Sequence, residues 1–180
     1  MAAEPSPTRA IPGVVRTQDI ASENQRKEPL VVTPTQNNEL AAGVVVVRWF
    51  ENMPRFLLLR LYAYWEFPKG RVEPGEQPIE TAVREAREEA ALDDLEFLWG
   101  PVYRETPPYR RGKIARYYLA RSRGAQVQLL PNPTLGRTEH HGHAWLTFDE
   151  AHERLVERLK TILEWANDTM GQRSCNQTDA

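Results

Sequence analysis

The chain has 180 residues, 41% hydrophobic and 27% charged, with a formal net charge of −2, which suits one domain with a real core and excludes a general basic surface for nucleic acid. The longest apolar run, Ala41 to Val47, is strand-sized, so no membrane-spanning helix is expected, and no apolar stretch of a secretory signal stands near the N-terminus. Cys175 is the only cysteine, so no intrachain disulfide forms and a reducing, cytoplasmic setting is permitted.

In chain order, residues 1–38 read as a disordered, proline-rich tail. Pro5, Pro7, Pro12, Pro29 and Pro34 are spread among polar residues with no sustained apolar period; Ile11 to Val15 or Leu30 to Val32 could dock as edge segments. The folded domain is placed at 39–168. Ala42 to Phe50, rich in valine, predicts a buried strand, Glu51, Asn52 and Pro54 a turn, and Phe56 to Leu61 a second strand. Trp65 to Gln77 holds Pro68, Gly70, Pro74 and Gly75, which is loop chemistry. Pro78 opens a helix to about Leu92, with Ile79, Val83, Ala86 and Ala90 on its apolar side. Leu95 to Tyr103 and Lys113 to Ala120 read as strands, interrupted at Pro107 and Pro108. A loop spans 131–142, a short strand Ala144 to Phe148, and a last helix Asp149 to about Asn167 with Leu155, Leu159, Ile162 and Leu163 inward. Residues 169–180 read as a flexible tail. The order predicts an α/β arrangement of the α+β sandwich kind, a mixed β-sheet between α-helices.

The informative stretch is Gly70-Arg-Val-Glu-Pro-Gly-Glu76, followed by Arg84-Glu85-Ala86-Arg87-Glu88-Glu89. At about 100° per residue, Glu85, Glu88 and Glu89 share one helical arc. Like charges at these spacings destabilise a helix by a few tenths of a kcal/mol per pair, and no basic residue lies within the arc. Arg84, one step round, is placed to pair with Glu80 and Glu88. Converging carboxylates suit a divalent cation that takes oxygen ligands and substrate phosphates. Spacing alone also admits a solvated acidic face.

The stretch resembles the Nudix box, G-x5-E-x7-R-E-U-x-E-E-x-G-U, at Gly70, Glu76, Arg84, Glu85, Glu88, Glu89 and Leu92, with Ala86 a loose match and Ala91 where the family has glycine. The layout matches from about residue 40 to 168. The resemblance implies a Nudix hydrolase in which Glu85, Glu88 and Glu89, with the carbonyl of Gly70, bind Mg²⁺ or Mn²⁺. It implies that Glu76 and Arg84 hold the loop against the helix. The ions would lower the pKa of water and neutralise bridging oxygens.

Within the family, Trp65-Glu-Phe-Pro-Lys-Gly70 and Thr138-Glu139-His140 are similar to the asymmetrical dinucleoside polyphosphate hydrolases. That similarity makes Glu139 a general base or extra ligand outside the box; the bland alternative is an exposed loop carboxylate. Tyr109 could stack on a base or pack against Pro107 and Pro108. Lys69 and Lys113 could meet outer phosphates, supported by Arg110, Arg111 and Arg116. His140, His141 and His143 lack metal-ligand spacing and read as exposed, and Trp65 is expected under the loop. The implied partner is a small nucleotide substrate. Alternatives are a 5′-triphosphate RNA, a nucleoside triphosphate or a diphosphoinositol polyphosphate, with RNA a partner only in that case. A non-catalytic binding module would be expected to lack box carboxylates, and all are present.

Overall fold

The computed structural model describes residues 39–124, 126–132 and 136–176, so the tail expected over 1–38 lies outside the described residues. Strand β1 (Leu40–Phe50) is the axis of the sheet. Successive side chains of a strand point to opposite faces. Val45 and Val47 therefore join one apolar cluster and Val44 and Val46 the other, all of them fully buried. Strand β2 (Met53–Leu61) returns through Glu51 and Asn52, both at positive φ, 49° and 65°, the backbone of a tight hairpin turn.

β1 and β2 pair only over Val47–Phe50 with Met53–Phe56 and then part. Each freed edge takes a short strand. β3 (Tyr64–Glu66) adds to β2 at Leu59–Leu61, and β4 (Lys69–Arg71) adds to β1 at Ala41–Gly43. The chain crosses the fork at Phe67 and Pro68, where the Pro68 carbonyl accepts from the Val44 N–H at 3.1 Å. Gly43 makes that crossing possible, because a Cβ there would overlap the Pro68 carbonyl.

On the other edge of β1, β7 (Ile114–Ser122) runs parallel from Leu40↔Ile114 to Val47↔Arg121. β5 (Leu95–Glu96) and β6 (Tyr103–Glu105) pair antiparallel with β7, and β8 (Gly142–Leu146) pairs with β2. Helix α1 (Pro78–Ala90) packs Ala82, Ala86 and Ala90 on one face of the sheet. α2 (Phe148–Arg154) and α3 (Glu157–Asn176) cover the other with Ala151, Leu159, Ile162, Leu163, Ala166 and Met170. This is the expected mixed sheet between helices, of α+β class.

Several boundaries differ from expectation. The stretch 65–77 is not all loop, since β3 and β4 lie in it. Leu95 to Tyr103 is not one strand: it turns at Phe97–Gly100, where Gly100 has φ 77°. The last helix breaks at Leu155, whose ψ of 146° is extended and which pairs with Trp65. That step lets both Leu155 and Leu159 enter the core. α3 then runs to Asn176, so residues 169–176 are helix and not tail. The buried face of α1 is also rotated from the expected one. Thr81 and Glu85 are buried beside the alanines, while Ile79 and Val83 flank an open apolar groove with Phe97.

Candidate active site

The acidic face of α1 lies against β4. Gln77 ends the loop and donates its N–H to Glu80 at 2.9 Å, and Pro78 starts the helix. Loop and helix are tied by Arg84. Its Nε and Nη2 donate to the two oxygens of Glu76 at 2.9 and 3.0 Å, and Nη2 also donates to the Arg71 carbonyl at 3.1 Å. The Arg84 hydrogen bonds hold the Glu76 carboxyl down near 2, against the desolvation that opposes them. Arg84 Nη1 reaches Glu85 at 2.6 Å and Glu88 at 3.3 Å. The like-charge repulsion expected along the arc is therefore relieved, and from Arg84, whose partners are Glu76, Glu85 and Glu88 in place of Glu80.

The carboxylates do not share one exposure. Glu85 is buried, its carboxylate lodged so closely on Gly70 that a Cβ there would overlap it. Glu89 is nearly buried and accepts the Lys69 N–H at 3.1 Å, while Glu88 is the open one. The alternative of a solvated acidic face fails for Glu85 and Glu89, which β4 and His140 approach. Burial raises the pKa of Glu85, and of Glu89 far more, overriding the nearby Lys69 charge that lowers both.

Two cavities meet here. The first, about 300 Å³, is lined by Gly70, Glu85, Glu89 and Glu139, with Glu39 and Arg71 at its rim. The second, about 440 Å³, runs toward Tyr64, Trp65, Arg110 and Arg158. Lys69, Tyr109, Lys113 and Glu139 line both. Glu139 is half-buried and accepts from Asn132 Nδ2 at 3.4 Å. A smaller space brings Glu88 together with Glu85, Glu89, Glu139 and His140.

The lysines that line both cavities are each paired with a carboxylate. Lys69 Nζ pairs with Glu66 at 2.8 Å, and Lys113 Nζ pairs with Glu39 at 2.7 Å. Although burial alone would lower it, Glu66 raises the Lys69 pKa. Arg116 is turned to Glu105 at 2.7 Å, away from both cavities. Tyr109 is half-buried and has one face covered by the Arg158 guanidinium, 4.7 Å from the ring centroid.

Among the described residues, no group of His, Cys, Asp or Glu closes into a metal-holding cluster; Arg84 draws Glu85 and Glu88 to itself. The donor set still fits a hard divalent ion. It is all oxygen, gathered at two adjoining spaces, and among the described residues the Glu89 carboxylate has no cationic side chain hydrogen-bonded to it. A cation beside it would reverse the burial-driven rise in its pKa.

A family model described as "NUDIX domain" matches residues 38–166. The chain belongs to the Nudix family. Asymmetrical bis(5′-nucleosyl)-tetraphosphatase of Sus scrofa is 36% identical over 102 residues, 53% of this chain and 66% of the pig protein. The chain thus spans just under two thirds of that relative. An RNA pyrophosphohydrolase of Agrobacterium fabrum is 25% identical over 116 residues, 56% of this chain and 67% of the bacterial protein. The crystal structure of a binary complex of C. elegans Ap4A hydrolase superposes with a TM-score of 0.65 at 26% identity. That match covers 74% of this chain and 98% of the nematode one.

In this Nudix chain, sequence reasoning missed a buried polar group beside the box. His140, expected in solvent with His141 and His143, is 3% exposed, whereas those two are exposed. Its Nε2 lies 3.3 Å from Glu66 and its Nδ1 3.9 Å from Glu89. Burial would raise the Glu66 pKa, but the His140 hydrogen bond and the Lys69 charge hold it near 2. The available signal was Glu66 itself, a carboxylate between Trp65 and Phe67 in an otherwise apolar run. Asn132 and Glu39 were also missed, having no motif around them.

Proposed function

We propose that this protein is a divalent-metal-dependent hydrolase that adds water across a phosphoanhydride bond of dinucleoside polyphosphates, cutting them asymmetrically. The observation that carries this reading is the continuity of the two cavities. A carboxylate-rich end opens, past Lys69 and Lys113, into a longer cleft lined by Tyr64, Trp65, Tyr109 and arginines. A substrate with several phosphates and aromatic bases has that distribution of charge and ring. The naming of the pig and nematode relatives supports the same substrate class.

Glu85, Glu88 and Glu89, with the Gly70 carbonyl, would hold Mg²⁺ or Mn²⁺, which supplies a lowered water pKa and neutralises the bridging oxygens. Glu139, at the junction of both cavities, takes the proton of the attacking water. The new P–O bond forms as the P–O bond to the leaving nucleotide breaks. Gly70 lets the Glu85 carboxylate close on the β4 backbone because it carries no side chain to intervene. Lys69, fixed by Glu66, keeps its N–H on Glu89 and its positive charge beside the phosphates. Glu76 and Arg84 hold the loop. No described helix is long and apolar enough to cross a membrane, and we place the activity in the cytoplasm on a soluble nucleotide.

The RNA reading is favoured by one observation besides the bacterial relative: Tyr64, which lines the second cleft, is 62% exposed, and a base of a single strand could stack on it. Diadenosine tetraphosphate, ATP, a 5′-triphosphorylated short RNA and a diphosphoinositol phosphate, assayed side by side with Mg²⁺, separate these readings. The expected result is highest kcat/KM for the dinucleotide, with ATP and AMP as products. A value for RNA or the inositol compound about tenfold above it, or about 1.4 kcal/mol in selectivity, overturns the substrate.

A further inference from the structure

In the first cavity, every basic side chain is answered by a carboxylate. Lys69 has Glu66 at 2.8 Å, and Lys113 and Arg71 share Glu39 at 2.7 and 3.5 Å. The second cavity is different. Arg158 and Arg110 line it, and among the described residues neither has a carboxylate within ion-pair distance. Arg158 is half-buried, and its contact is the Tyr109 ring, 4.7 Å from the guanidinium carbon. An aromatic face attracts a cation but accepts no conventional hydrogen bond, so the guanidinium N–H groups stay available to an acceptor. Tyr109 and Arg110 are themselves fixed by a tight turn. The Tyr109 N–H donates to the Lys113 carbonyl at 2.9 Å, and Arg110, Arg111 and Gly112 all have positive φ, 31°, 61° and 84°. A turn held in that backbone presents Arg110 at a set place on the cleft wall.

We infer that Arg158 and Arg110 form a phosphate-binding wall of the second cleft, beside Tyr109, which holds the phosphates of the substrate that lie beyond the scissile bond. This rests on reading the adjoining cavity as a phosphoanhydride site. A planar guanidinium with several N–H donors matches a phosphate in two-point contact. Phosphate is the anion that the same substrate already brings along the Lys69–Lys113 wall. Tyr109 then serves as the platform that aims Arg158, and Arg158 is a specificity-determining residue that favours longer phosphate chains.

The test is calorimetric titration of the intact protein with inorganic tripolyphosphate, for wild type, Arg158→Met, Arg158→Lys and Arg110→Gln, with melting curves alongside. Loss of one charge-assisted contact should weaken binding about tenfold or more in Arg158→Met. Arg158→Lys should fall between, because a lysine supplies charge without the fork. Arg110→Gln, at the exposed side of the cleft, should weaken binding less. With diadenosine polyphosphates of increasing length, Arg158→Met should raise KM most for the longest, at nearly constant kcat. Affinity for tripolyphosphate within about twofold of wild type in Arg158→Met overturns the inference. If that variant melts early, unchanged affinity in both Arg158→Lys and Arg110→Gln does so. Arg158-dependent tripolyphosphate binding without turnover of any dinucleotide leaves this site standing and removes the proposed function. Turnover with binding indifferent to Arg158 does the reverse.

Discussion

Ala91 ends helix α1 in the left-handed region, at φ 54° and ψ 32°. Its N–H donates to the Arg87 carbonyl at 3.0 Å, and the Leu92 N–H donates to the Ala86 carbonyl at 3.2 Å. These bonds close the helix end in the manner usually given to glycine. A residue with a Cβ bears roughly 1–2 kcal/mol in that conformation. Glycine removes the strain but gives back about 0.4–1 kcal/mol through the extra freedom of its unfolded chain. Ala91→Gly is thus expected to stabilise the protein by about 0.5–1 kcal/mol, a rise in Tm of roughly 1–4 °C for a chain of this size. Both cap hydrogen bonds are backbone and survive the change, so Glu88 and Glu89 should stay in place and kcat should move by less than about twofold. Calorimetric melting and steady-state kinetics on the same preparations test this. A lower Tm refutes the strain argument. A large change in kcat at equal Tm shows that the alanine displaces the carboxylates.

Glu89→Gln should remove nearly all turnover, with at least about a hundredfold loss of kcat. Because burial raises the Glu89 pKa, its ionised form costs stability at neutral pH, so the metal-free variant should melt at or above wild type; a lower melt contradicts that sign. Glu139→Gln should lower kcat by about 10² to 10⁴ with KM little changed, and an unaltered pH–rate profile returns Glu139 to a solvent role. The pKa of Glu76 is depressed to about 2 from 4.5, so its pairing stabilises the fold above the higher value and is lost as pH falls toward the lower. Glu76→Gln should accordingly reduce Tm near pH 6 and converge on wild type near pH 2; a constant gap across the titration would show that the loss is packing.

The long apolar patterns were legible: the valine run of β1, β2, β7, and the inward Leu159, Ile162 and Leu163 of α3 sit in the core. Where sequence reasoning failed, the deciding partner was distant in the chain. β3 and β4, three residues each, exist because β1 and β2 diverge and leave edges to fill, which no local period reports. The helix break at Leu155 depends on Trp65, ninety residues earlier. For the same reason the box spacing showed which carboxylates share a face but not that β4 buries Glu85 and Glu89, and a histidine in a polar loop gave no sign of Glu66 waiting for it.

Helix α1 meets the sheet through Ala82, Ala86 and Ala90, side chains too short to interdigitate deeply. A surface that smooth fixes distance well and axial position poorly. The stops against sliding or rolling are polar: Glu85 wedged on Gly70, Glu89 on the Lys69 amide, and Arg84 on Glu76 and the Arg71 carbonyl. The carboxylates proposed to hold the metal are therefore also among the fasteners of the helix that carries them. Removing one releases a degree of freedom as well as a charge, so amide exchange along 78–90 will register substitutions usually judged by activity alone.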